Sequence, residues 1–102
     1  MEAEIYKALG DPVRLELVRR LSSGAGATVG ELSRVLGISR QGARKQLEVL
    51  VTANVVALEP AGRKTIVSLN RQSLAKARLF IAPLESQWDE RLVALKKFAE
   101  ES

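Results

Sequence analysis

The 102-residue sequence contains no cysteine and no histidine. The first absence excludes disulfides and thiolate metal sites, and the second removes the commonest catalytic base and the commonest transition-metal ligand. No metal site and no cofactor are therefore expected. Nor is an enzyme: Glu85, Asp89 and Glu90, the nearest approach to a carboxylate constellation, alternate with Arg91 in the manner of ordinary solvated helical charge. Aromatic residues are scarce as well, only Tyr6, Phe80, Trp88 and Phe98, so the core must be aliphatic. Long apolar runs are missing. Uncharged stretches such as Leu21 to Gly30 are too short to cross a bilayer, and the opening MEAEIYK lacks the cationic start of an export signal. A cytoplasmic protein with no membrane partner is expected.

What is abundant is positive charge, unevenly placed. The net charge is +4, yet between Arg34 and Arg78 nine cations stand against two anions, Glu48 and Glu59, and both chain ends are slightly acidic. A basic middle of this kind suits a polyanion, because phosphate contacts gain affinity by releasing condensed counterions. The length fits one domain over residues 1–102, but one small enough to gain from burying surface against a second subunit.

Periodicity and capping residues divide the chain. AEIYKAL at 3–9 can form two helical turns, stopped by Gly10 where a left-handed residue is usual. Asp11 can cap, and Pro12 can begin, a second helix to about Ser22. Thr28 with Glu31 makes a capping-box pattern for a third helix ending at Gly37, and Ser39 caps a fourth two residues later. Two helices separated only by GIS cannot be collinear, which predicts a helix-turn-helix over 28–53 with Ile38 plugging the corner. From 54 to 70 the period shortens: VVALEP and KTIVSL are β-branched runs joined by AGR, a hairpin with Arg63 and Lys64 at its tip. Asn70 caps the last region, 71–102. There Pro83 predicts a break or kink between a short helix to about Phe80 and a long one to Glu100, leaving open one kinked helix or two helices. Leu84, Trp88, Leu92, Leu95 and Ala99 make a stripe that is either a core seam or half of a symmetric interface; the interface is the reading adopted, since the helix-turn-helix already satisfies the earlier helices.

The fourth helix carries the functional argument. At about 100° per residue Ala43, Leu47 and Leu50 share one narrow sector, while Gln41, Arg44, Lys45 and Glu48 lie opposite. The leucines fix the helix to the domain and leave a polar side for an outside partner. Guanidinium and carboxamide groups are what the major groove rewards, since Arg forks onto guanine and Gln onto adenine. Lys45 suits a phosphate, and Ser39 with the free amides beside it can hold one at the helix start. The alternative, a solvated face on a module for protein or RNA contacts, loses ground because the hairpin tip and Arg34 add cations of the same sign.

These stretches resemble the ArsR family of winged helix-turn-helix repressors, nearly end to end: ALGDPVRLELVRRL at 8–21, TVGELSRVLGISRQGARKQLEVL at 28–50, ANVV at 53–56, AGRKTIVSLN at 61–70 and WDERLVALKKF at 88–98. The resemblance implies a mainly α fold with a small β-hairpin wing and helices at both ends forming a dimer interface. It implies a homodimeric repressor on an inverted-repeat operator in double-stranded DNA. Arg34, Ser39, Arg40, Gln41, Arg44, Lys45, Arg63 and Lys64 then meet DNA, and Ile5, Tyr6, Leu84, Trp88, Leu92 and Leu95 meet the second subunit. Glu31, Leu32 and Ser33 stand where metal-sensing members begin their thiolates, Gly42 replaces a helix-favouring residue, Gln46 a frequent histidine and Asn54 a frequent glycine. The tryptophan-bearing end resembles the branch without metal ligands, which leaves room for a small-molecule effector of unspecified class.

Overall fold

A computed structural model describes residues 2–101. The chain folds as α1 (Glu2–Leu9), α2 (Pro12–Leu21), β1 (Ala27–Thr28), α3 (Val29–Leu36), α4 (Arg40–Thr52), β2 (Val56–Ala61), β3 (Lys64–Leu69) and α5 (Arg71–Glu101). The helix starts follow their caps. The Asp11 carboxylate accepts from the amides of Val13 and Arg14, the Thr28 hydroxyl from Glu31 and the Ser39 hydroxyl from Gly42, each satisfying a donor that the first helical turn leaves open. The capping box is realised in part: the Glu31 carboxylate accepts from the Thr28 hydroxyl at 3.1 Å, while Thr28 itself lies in a strand opposite Ile66.

The turn between α3 and α4 is built by Gly37, left-handed at φ 68°. Its amide donates to the Arg34 carbonyl and the Ile38 amide to that of Ser33, which closes α3 with paired reverse bonds. Ile38 then packs half-buried on the core. Gly10, by contrast, is not left-handed; its amide donates to the Lys7 carbonyl, and the Asp11 cap follows too closely for a separate reversal.

The hairpin gains a strand, and the question at Pro83 is resolved. The sheet has three strands in the order β1-β3-β2, because Ala27 and Thr28 pair antiparallel with Val67 and Ile66 beside the hairpin. Pro60 is tolerated opposite Thr65 since β2 is an edge strand. Of the two alternatives left open at Pro83, α5 takes the single helix: 31 residues run through the proline without a break. A proline removes one amide donor, but every residue from 78 to 101 is exposed, so water can satisfy the carbonyl left unpaired four residues earlier.

The core is aliphatic. Leu17, Leu47, Leu50, Val55 and Val67 are its largest fully buried side chains, and Ala43 joins them from α4. The seating of α4 therefore depends on Leu47: Leu47→Ala is expected to cost about 2–5 kcal/mol. Urea unfolding should show a lower midpoint with the same slope, and a loss below about 0.5 kcal/mol would mean that this face does not anchor α4.

α5 leaves the body of the molecule. The radius of gyration is 18.4 Å, whereas about 13 Å is usual for a compact chain of this length, and the long dimension reaches 68 Å. Residues 78 to 101 alone extend roughly 36 Å at 1.5 Å per residue.

Candidate nucleic-acid interface

α4 separates its two jobs by angle. Ala43, Leu47 and Leu50 are sealed in the core, while Gln41, Arg44, Lys45 and Glu48 are all exposed on the opposite side. The Ser39 hydroxyl oxygen accepts from the Gly42 amide at 2.9 Å, which leaves its O–H to donate to an anion at the start of α4 beside the remaining first-turn amides. Gly42 makes that cap close, since a Cβ there would lie 3.1 Å from the Ser39 hydroxyl oxygen.

The wing presents the second group. Ala61 pairs with Lys64, leaving Gly62 and Arg63 as a two-residue turn with Gly62 at φ 66°, a conformation suited to a tight hairpin. Arg63 and Lys64 are exposed there, as is Arg34 on α3. Among the described residues the ion pairs are those of Glu16 with Arg19 and Arg20 on α2; Arg34, Arg40, Arg44, Lys45, Arg63 and Lys64 take part in none. With no carboxylate neutralising them, these cations can face an outside anion, as can the exposed Arg71, Lys76 and Arg78 at the start of α5, whereas Glu16 offsets the charge on α2.

Arg40 is placed differently from its neighbours. Three residues before Ala43, it sits about 60° from the buried sector's centre and not on the far side. Its guanidinium lies back across the first turn of α3, and a Cβ at Gly30 would be 2.9 Å from one of its nitrogens. Gly30 thus makes room for Arg40, a relation no local pattern signals because the two lie on different helices.

Of the positions assigned to a second subunit, Ile5 is turned inward, 4% exposed in the protomer's own core, and has almost no surface to offer. The helical stripe on α1 points to α2, α4 and α5 of the same chain, which is why. Tyr6 is half-buried: its hydroxyl donates to the Ala77 carbonyl at 2.7 Å and its ring stands 5.9 Å from that of Phe80. Leu84, Trp88, Leu92 and Leu95 are exposed, Trp88 by 61%. They continue along α5 the same face that buries Ser73 and Ala77 near its start.

Two residues that sequence reasoning left without a role hold the helices together. The Arg14 side chain donates through Nε to the Ala8 carbonyl and through Nη1 to Oε1 of Gln46, the latter at 2.8 Å. No helix of the described residues is long and apolar enough to cross a membrane.

Comparisons with known proteins agree with this geometry. Residues 9–59 match a helix-turn-helix domain family. Over 73 residues the chain is 41% identical to the HTH-type transcriptional regulator Rv2034 of Mycobacterium tuberculosis, covering 72% of this chain and 67% of that protein. An ArsR-like transcriptional regulator from Rhodococcus sp. RHA1 superposes with a TM-score of 0.77 at 29% identity, over 98% of this chain and 91% of that one. The homodimeric winged helix-turn-helix DNA-binding domain of Mb0332 from Mycobacterium bovis shares the fold, with a TM-score of 0.66 at 24% identity over 88% and 80% of the two chains.

Proposed function

The chain belongs to the ArsR family of winged helix-turn-helix transcriptional regulators, and from that premise we propose that it is a homodimeric repressor, not an enzyme, binding an inverted-repeat operator. The observation that carries the proposal is the division of α4: a sealed aliphatic sector opposite an exposed, unpaired Gln41, Arg44 and Lys45. In a helix-turn-helix the start of the second helix enters the major groove. Gln41 and Arg44 then read base edges, Lys45 and the first-turn amides hold phosphate, and Arg63 and Lys64 hold the backbone from the wing. Arg34 adds a phosphate contact from α3. Arg40 joins them once its guanidinium swings away from Gly30.

The second subunit covers α5. A largely apolar face that continues from the protomer's core into solvent, carrying Leu84, Trp88, Leu92 and Leu95 with Arg91 beside them, is what an isologous interface supplies. Two α4 helices related by the twofold axis lie about one DNA turn apart, roughly 34 Å. Occupying the operator excludes polymerase, and an effector would act by changing that separation. The protein works in the cytoplasm, where its DNA is.

The test is the salt dependence of operator affinity. With four cations per protomer on phosphate, about eight contacts per dimer, log K should fall against log salt with a slope of roughly −7, whereas a module for protein contacts would give a nearly flat line. Arg63→Ala should lower affinity on every duplex alike and reduce the slope by about 1 for each wing removed. A loss confined to one sequence would place Arg63 on a base instead.

A further inference from the structure

Arg14 joins three helices. From α2 it donates to the carbonyl of Ala8 in the last turn of α1, and it donates to Gln46 on α4, 32 residues away in sequence. α1 is in turn tied to α5 by the Tyr6 hydroxyl on the Ala77 carbonyl. A polar path thus runs from the helix proposed to carry the dimer, through α1, to the helix proposed to carry the readout. Resting on that functional reading, we infer that the Arg14–Gln46 hydrogen bond fixes the bearing of α4 relative to the dimer helices, which makes Gln46 a positioning residue for operator half-site spacing.

The physical reason lies in what aliphatic packing cannot do. Ala43, Leu47 and Leu50 hold α4 down through contacts that are strong but without direction, so they resist lifting the helix better than turning it. A hydrogen bond weakens steeply with angle. Gln46 lies three residues from Ala43 on the flank opposite Arg40, about 60° from the centre of the buried sector, where a bond opposes rotation. The control matters, because a turn of about 20° moves side-chain tips at a radius of roughly 6 Å by about 2 Å. That is enough to lose a forked contact to guanine. The bond is half-buried and has one charged partner, so it is stronger than a neutral surface pair.

The experiment uses the full chain and duplexes bearing two inverted copies of the half-site recovered by selection from a random pool, with the separation varied one base pair at a time. Gln46→Leu removes the acceptor at similar volume, and Gln46→Glu restores an acceptor for Arg14. The wild type should show one sharp optimum of spacing. Gln46→Leu should remain dimeric by sedimentation and keep its affinity for non-specific duplex, yet lose about tenfold at the optimum and show a flattened profile. Gln46→Glu should recover the sharp profile, even if its added charge lowers affinity evenly at all spacings. A Gln46→Leu profile as sharp as the wild type, or a Gln46→Glu profile as flat as that of Gln46→Leu, would overturn the positioning role alone. A wild type without any optimum would instead overturn the dimeric-operator reading and the positioning role with it.

Discussion

Trp88→Ala is expected to turn a dimer into a predominantly monomeric protein at micromolar concentration. The indole is 61% exposed in the protomer and lies midway along the exposed stretch 78–101 of α5, between Leu84 and Leu92 on one face. Removing it takes nothing from the protomer's core, so helicity and the urea midpoint of the isolated chain should hardly change. Against a second subunit its loss is of another order. A buried interface tryptophan typically accounts for about 2 kcal/mol or more, roughly thirtyfold in the dimer dissociation constant, and a twofold axis counts each substitution twice. DNA binding should follow, since a monomer engages one half-site where the dimer engages two. Sedimentation velocity with and without operator checks both effects. An unchanged dimer would remove α5 from the interface.

Arg44→Ala should weaken operator binding by about 1–3 kcal/mol per half-site and relax the preference at one base pair in each. Non-specific duplex should lose little by comparison, because only one of several cations per protomer is gone. Arg44→Lys separates the two components of the contact. The ammonium keeps the charge but has no planar fork, so it should restore the non-specific affinity without restoring the preference. Binding measured across single-base variants of the site reads both quantities. Equal losses on all sequences would reduce Arg44 to a phosphate contact.

The parts of the fold legible in the sequence were those set by near neighbours. Asp11, Thr28 and Ser39 cap amides two or three residues away, Gly37 closes α3 through bonds to Ser33 and Arg34, and Gly62 turns the wing. Each is a local interaction that residue type announces. Asn54 is similarly plain, left-handed at φ 62° where glycine is more usual. What was not legible depends on distant partners. β1 has two residues and therefore no period, and it exists because β3 offers it an edge. The continuity of α5 through Pro83 depends on exposure, which a single proline cannot reveal. The family resemblance places Ile5 against a second subunit, but whether an apolar residue faces its own core or a second chain is decided by where the other helices lie.

The candidate interface divides the same way. The angular separation of Arg44 and Lys45 from Leu47 and Leu50 follows from helical period alone. The placement of Arg40 against Gly30 and the bond from Arg14 to Gln46 are tertiary contacts, made where α3 approaches α4 and where α2 approaches α4.

Whether paired α4 helices read a symmetric DNA site is decided by selecting bound duplexes from a random pool at near-physiological salt. The pool should become enriched in an inverted repeat whose half-sites are centred about 10 base pairs, or a multiple of one turn, apart. Recovery of sequences with no shared half-site, or of single unpaired half-sites, would contradict it.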